Sequence, residues 1–390
     1  MKFNALQFIQ GFLILLLLVF SGCEITPFVP KPPGLGKYDP NQKEFDMDLF
    51  EANVVAALGN QWVGYAFVIN QNGQLARDGV SGNWKQGREN KAADLTSPMY
   101  LASVDKTIGT TALIIAMREY GTGLQSMLNS SIGPYLPDVL GASPQVRNLR
   151  FIDLLTHRTG FPQTVNASLA NMKVLASSNS VSRNAPFAYS NVNFYFIKYL
   201  IFRMAGQNLN GLLTEDEQQA KIKQFYAGYA KSKIFDPAGI TSATSISSSV
   251  LGYRNGDDPS VAGWFIGDVS DMLGSGGLYM SALDIARFQA YLNNTQSLLS
   301  NQERASMYLN YLGWGDINPF TSPIVGSQGT YYSKQGSYIN NQGQGVRTLI
   351  MTFPKNKVEV VFLANSRGAI LDNTNALNNL FRTAYDNAWN

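Results

Sequence analysis

Tyr100-Leu101-Ala102-Ser103-Val104-Asp105-Lys106 leads without a break into Thr107–Tyr120, a stretch read as helical, and Gly121 and Gly123 follow as stop signals. Residues three apart share a helix face, with Cβ atoms roughly 5–6 Å apart. Lys106 can therefore reach the hydroxyl of Ser103. Burial or neighbouring cations drive a lysine toward its neutral amine, and a neutral amine can take a hydroxyl proton. With Ser103 at the helix start, the exposed N–H groups there would favour developing negative charge. Alone, Ser-x-x-Lys is a common pairing and describes a solvated helix face equally well.

Two further pieces lie downstream. Tyr189-Ser190-Asn191 follows Pro186 and precedes a helical stretch, Phe194–Met204. Tyr189 offers a phenol that nearby cations would favour as phenolate, making it a second base or proton relay. The Asn191 amide both donates and accepts, so it can fix an amide substrate and hold Lys106. Taken alone, the tripeptide also reads as a capping turn. Lys334-Gln335-Gly336-Ser337 is expected to begin a strand beside a cleft. Lys334 would supply positive charge for a substrate carboxylate and for tuning Tyr189. Gly336 would let substrate approach the backbone. The N–H groups of Ser103 and Ser337 would make a two-donor oxyanion hole, worth roughly 2.7–4 kcal/mol per donor.

Strand signals sit at both ends of the body. Trp62–Asn70 alternates apolar and polar, Gln71-Asn72-Gly73 is a turn, and Gln74–Val80 is the returning partner. Val346–Phe353 and Val358–Asn365 read as two more strands, with Phe45–Leu58 and Thr374–Ala388 as flanking helices. The middle, about 107–239, reads as mostly helical. The expected fold is α+β: an antiparallel sheet built from the two chain ends and flanked by helices, with an all-helical subdomain beside it. A cleft between two such parts is a common place for an active site.

Composition removes several alternatives. The net charge of +3 comes with no dense basic stripe, so nucleic acid is not an expected partner. One cysteine, Cys23, permits no internal disulfide, and one histidine, His157, permits no two-histidine metal site. No acidic cluster suggests a carboxylate metal site, so neither metal nor other cofactor is expected. Gly274-Ser275-Gly276-Gly277 lacks the Gly-Lys-Ser/Thr ending of a phosphate loop and reads as a turn packed near the cleft. Trp264, Trp314, Tyr331 and Tyr332 read equally as pocket wall or as packing.

Residues 1–22 read as a secretory signal: Lys2, then the apolar run Phe12–Phe20, then Ser21 and Gly22. The run is short for a membrane span, which needs about 20 residues. Phe20-Ser21-Gly22-Cys23 resembles a bacterial lipoprotein processing site, which implies lipidation of Cys23, export and a membrane-anchored place in the cell envelope. Residues 23–44 are rich in Pro and Gly and read as a stiff tether. Residues 45–390 would be the folded domain.

In order and interval, the three pieces resemble those of the serine β-lactamase and penicillin-binding protein family. The likeness is to its class C, D,D-peptidase and esterase-like branch, where the second motif is Tyr-x-Asn. It extends through Phe151–Pro162, Phe235–Ile240 and Ser275–Ala286. The resemblance implies Ser103 as acylated nucleophile, Lys106 as its base or relay, and Tyr189 as activator of the hydroxyl and later of water. It further implies Asn191, Lys334, Gln335 and Gly336 as substrate-binding positions, and His157 as structural. Gln335 departs from the pattern, which has Thr or Ser there to bind a substrate carboxylate. The implied function is an envelope serine hydrolase acting on a small-molecule or peptide ester or amide, esterase-like or D-amino-acid-peptidase-like before β-lactamase. The rival reading is a binding lipoprotein that kept the fold and lost turnover.

Overall fold

The computed structural model describes residues 43–254, 260–315, 324–368 and 376–390. The signal segment, Cys23 and the tether up to residue 42 lie outside the described residues. Asp46 caps helix α1 (Met47–Leu58), its carboxylate accepting the Leu49 N–H at 2.9 Å. Strand β1 (Gly64–Gln71) then turns into β2 (Gln74–Lys85) through Asn72 and Gly73, whose φ values are 54° and 76°. Two successive left-handed residues are what a tight two-residue hairpin demands. β3 (Lys91–Ala92) pairs with β2, and β4 (Met99–Tyr100) precedes the turn that carries Ser103. Helices α2 (Asp105–Tyr120), α3 (Leu169–Ala176), α4 (Val192–Met204) and α5 (Glu215–Ala230) follow, with short helical turns between them. This is the helical middle expected from the sequence.

β5 (Tyr279–Met280) pairs antiparallel with β4, and α6 (Ala282–Asn294) and α7 (Asn301–Leu309) lead back to the sheet. The sheet is completed by β6 (Ile324–Gly326), β7 (Gly329–Ile339), β8 (Gly345–Phe353) and β9 (Val358–Ala364), and α8 (Ala376–Asp386) closes the chain. Its order is β3-β2-β1-β9-β8-β7-β6, antiparallel throughout. The chain ends meet at its centre, where Tyr65 faces Ala364 and Gln71 faces Val358.

Side chains alternate between the faces of a strand, and here both faces are covered. Tyr65, Phe67 and Ile69 of β1 join Val358, Val360 and Phe362 of β9 beneath Phe50 and Val54 of α1 and Phe381 and Tyr385 of α8. Ala66, Val68, Val361 and Leu363 face the opposite way, into a core shared with α2, α4 and α6. Helix α2 is buried from Asp105 to Met117 and forms the axis of that core.

Two elements differ from the sequence reading. β2 continues to Lys85 instead of ending near Val80, because the pairing of Gly64 with Gly82 overrides the weak strand propensity of Gly, Ser and Asn. Lys334 stands in the middle of β7 and not at a strand start, since Gly329–Ser333 already pairs with β6 and β8.

Candidate active site

The site is built on a strained turn. Ala102 has φ +47°, a left-handed conformation that costs a non-glycine residue roughly 1–2 kcal/mol. The turn is held from below: Thr348 Oγ1 donates to the Leu101 carbonyl at 2.7 Å. Gly336 lies so close that a Cβ there would come within 2.2 Å of both the Leu101 oxygen and Thr348 Oγ1. Only glycine lets β7 pass under the turn. Ala102–Val104 forms a 3₁₀ turn that continues into α2, carrying Ser103 and Lys106 onto one face.

The Lys106 amine lies 3.0 Å from Ser103 Oγ, 2.7 Å from Asn191 Oδ1 and 2.8 Å from the Ser275 carbonyl. Ser103 Oγ is 2.6 Å from the Tyr189 hydroxyl. Lys106 is buried, and burial together with the charge of Lys334 pushes its amine below the usual lysine range. The ammonium of Lys334 lies 4.9 Å from the centre of the Tyr189 ring and donates to the Gly315 carbonyl at 3.0 Å. Ser103, Lys106, Tyr189, Asn191 and Lys334 are thus brought together.

The chain direction at β7 follows from one bond. The Gly315 N–H donates to the Ser333 carbonyl at 2.8 Å, so Ser333 points its backbone groups away from β8. In an antiparallel strand that direction recurs every second residue. The N–H groups of Gln335 and Ser337 therefore face the same edge, and Ser337 is exposed there. Among the described residues β6 pairs with β7 only over Gly329–Tyr331, leaving this edge of β7 uncovered by another strand at Ser337. Lys334 and Gly336 occupy the face that meets the Leu101–Ser103 turn. Alternation sets the buried Gln335 side chain on the opposite face, where its register partner Leu349 belongs to the core beneath α1 and α8.

His157 is a scaffold. It is buried, and burial first, then the charges of Lys334 and Lys106, keep its ring neutral well below the usual histidine range. Nδ1 accepts the Ser190 N–H at 3.2 Å, so Nε2 carries the proton. Its ring lies 4.5 Å from that of Tyr189, a shelf that orients the phenol. The Ser190 hydroxyl donates to the Pro162 carbonyl at 2.8 Å, and the Asn191 N–H donates to Gln163 Oε1 at 2.7 Å. The Tyr-Ser-Asn segment is thus fixed on both sides.

Sequence reasoning missed two contributors. The Ser275 carbonyl, in the Gly-rich turn, is a third acceptor for Lys106, and a carbonyl leaves no signature in residue type. Asp105 anchors that turn, accepting the N–H groups of Gly274 and Gly277 at 3.0 and 2.7 Å. The signal available was a carboxylate on the first turn of the helix, inside the Ser-x-x-Lys motif itself. Of the scattered aromatics, Trp264 packs 5.3 Å from Tyr338, which packs 5.5 Å from Tyr100, while Tyr331 is buried beneath α8.

A family model described as Beta-lactamase matches residues 50–383. A Bacillus subtilis (strain 168) protein named as a penicillin-binding protein, PbpX, is 24% identical over 307 residues, covering 76% of this chain and 68% of its own length. The structure of D-amino acid amidase from Ochrobactrum anthropi SV3 superposes with a TM-score of 0.62 at 14% identity, covering 87% of this chain and 97% of that one. EstCE1, a hydrolase with promiscuous acyltransferase activity, matches with a TM-score of 0.62 at 14% identity over 87% of this chain and 99% of its own.

Proposed function

The chain belongs to the beta-lactamase family, and from that premise we propose that it is a serine hydrolase that forms an acyl-enzyme on Ser103. The family comprises beta-lactamase-fold serine hydrolases, with D-amino acid amidase, esterase and penicillin-binding relatives. The observation that carries the reading is the unbroken chain of contacts from Lys106 through Ser103 to Tyr189. An inactive binding protein has no need of a buried amine held at three points beside a hydroxyl.

In the proposed reaction the Ser103 proton passes to Lys106 or Tyr189 as Oγ attacks a carbonyl carbon. The N–H groups of Ser103 and Ser337 receive the oxyanion. The tetrahedral intermediate collapses, the alcohol or amine leaves with the proton just taken up, and an ester remains on Ser103. Tyr189 then accepts a proton from water, whose attack releases the acid and restores the hydroxyl. Asn191 orients an amide of the substrate, and Lys334 faces an anionic end.

The substrate class favoured is an ester or a D-amino acid amide or peptide over a β-lactam. Position 335 carries no short hydroxyl for a β-lactam carboxylate, and the Gln335 side chain faces away from the Ser103 turn, so the nucleophile and oxyanion donors are left intact. The chain is further proposed to be exported and anchored to a membrane through lipidated Cys23. Turnover of p-nitrophenyl esters, D-alanyl amides and β-lactams by wild type and Ser103→Ala tests the enzyme reading. Ester or D-amide hydrolysis lost in the variant supports it. Ligand binding without turnover, unaffected by the substitution, contradicts it. Incorporation of labelled palmitate that disappears in Cys23→Ala checks the anchor.

A further inference from the structure

We propose that Asp105 is a positioning residue: its carboxylate clamps the Gly274–Gly277 turn so that the Ser275 carbonyl holds the Lys106 amine against Ser103. The inference rests on the proposed role of Ser103 and deepens it. Asp105 is wholly buried on the first turn of α2, between the two residues of the Ser-x-x-Lys pair. Oδ2 accepts two backbone N–H groups from the turn, at 3.0 Å from Gly274 and 2.7 Å from Gly277. Between those two anchors lies Ser275, whose carbonyl receives Lys106 at 2.8 Å. The backbone contact is close: a Cβ on Gly109 would come within 2.3 Å of the Gly274 oxygen. The helix that carries the amine and the turn that receives it are therefore locked together at Asp105.

The other oxygen behaves differently. Oδ1 is buried and has no hydrogen-bond partner among the described residues. Protonation at Oδ1 cancels the charge while Oδ2 keeps accepting both N–H groups. The clamp and the charge are therefore separable, and the charge matters to Lys106, whose protonated form the Asp105 anion favours. Burial brings the Asp105 carboxyl up to about 6, opposed by the N–H of Gly277 and by Lys106. The other titratable groups facing Asp105 are Tyr100 of β4, Tyr226 on α5 and Lys198 on α4. Removing the negative charge makes the Lys106 ammonium easier to deprotonate, so neutral amine becomes available at lower pH.

The experiment measures the rate of Ser103 labelling by a fluorophosphonate from pH 4 to 9, with melting temperature, in wild type, Asp105→Asn and Asp105→Ala. The asparagine carbonyl can accept both glycine N–H groups and carries no charge. Asp105→Asn is expected to melt cooperatively and keep the wild-type plateau rate, with the acid limb moved to lower pH by ~1 pH unit. Asp105→Ala, which loses the clamp, is expected to label on the order of tenfold or more slower at every pH, as misplacement of a reacting group by a fraction of an ångström does. Wild-type rates in Asp105→Ala, an unmoved acid limb in Asp105→Asn, or loss of cooperative melting in Asp105→Asn would each overturn the proposal. No labelling of wild type at any pH would overturn the nucleophile assignment and this inference with it. Labelling with unchanged variants overturns this inference alone.

Discussion

Helices α2 and α4 each bury a lysine, and the two surroundings differ. Lys106 and Lys198 are both about 1% exposed. Burial lowers both, Lys198 to about 7. Lys198 donates to the Asp271 carbonyl and lies 5.3 Å from the Tyr199 ring and 6.0 Å from that of Tyr195. No serine hydroxyl is bonded to it among the described residues. Lys106 touches one, with a phenol on the far side of that oxygen. Burial alone therefore makes a neutral-prone amine and not a site. What separates the two regions is whether the amine meets a group that becomes a nucleophile when it loses a proton.

The comparison is tested first where its effect is largest. Ser103→Ala is expected to lower hydrolysis by on the order of 10⁴-fold or more, read as kcat/KM on the best ester or amide. Lys106→Met keeps the volume and removes the amine, and should cost ~10²–10⁴-fold in the same assay. Lys198→Met should leave kcat/KM at the wild-type value. Equal losses at the two lysines would erase the distinction drawn between them. Tyr189→Phe should cost roughly 10²-fold while Lys106 keeps its three acceptors.

The smallest effect is a pH dependence of stability. Unfolded lysine titrates near ~10.4, whereas folded Lys198 does so at about 7. Between these values the unfolded chain binds more protons, so this group's contribution rises with pH across that window and is lost as pH falls through about 7. Wild type should gain ~2–4 °C in Tm relative to Lys198→Met between pH 7 and 9. An identical pH response in the two chains would show that Lys198 is not held neutral by its burial.

The parts of the fold that were legible are those written in local pattern. Asn72-Gly73 announced the hairpin, and the apolar runs Val346–Phe353 and Val358–Asn365 announced two strands of the central sheet. The three motifs were legible because reactive side chains at fixed spacing carry chemistry in their identity. What stayed hidden depends on backbone brought from afar. The left-handed Ala102 and the Ser275 carbonyl have no signature in residue type. The far end of β2 was hidden because its strand character comes from β1. Asp105 was visible as a letter, but its partners lie 169 and 172 residues away.

The central claim concerns one oxygen, and peptide mass mapping after fluorophosphonate treatment tests it most directly. The account predicts a single phosphonyl adduct on the peptide containing Ser103, absent from Ser103→Ala and strongly slowed in Lys106→Met. No adduct on the folded wild-type chain, or an adduct on another residue that persists in Ser103→Ala, would contradict it.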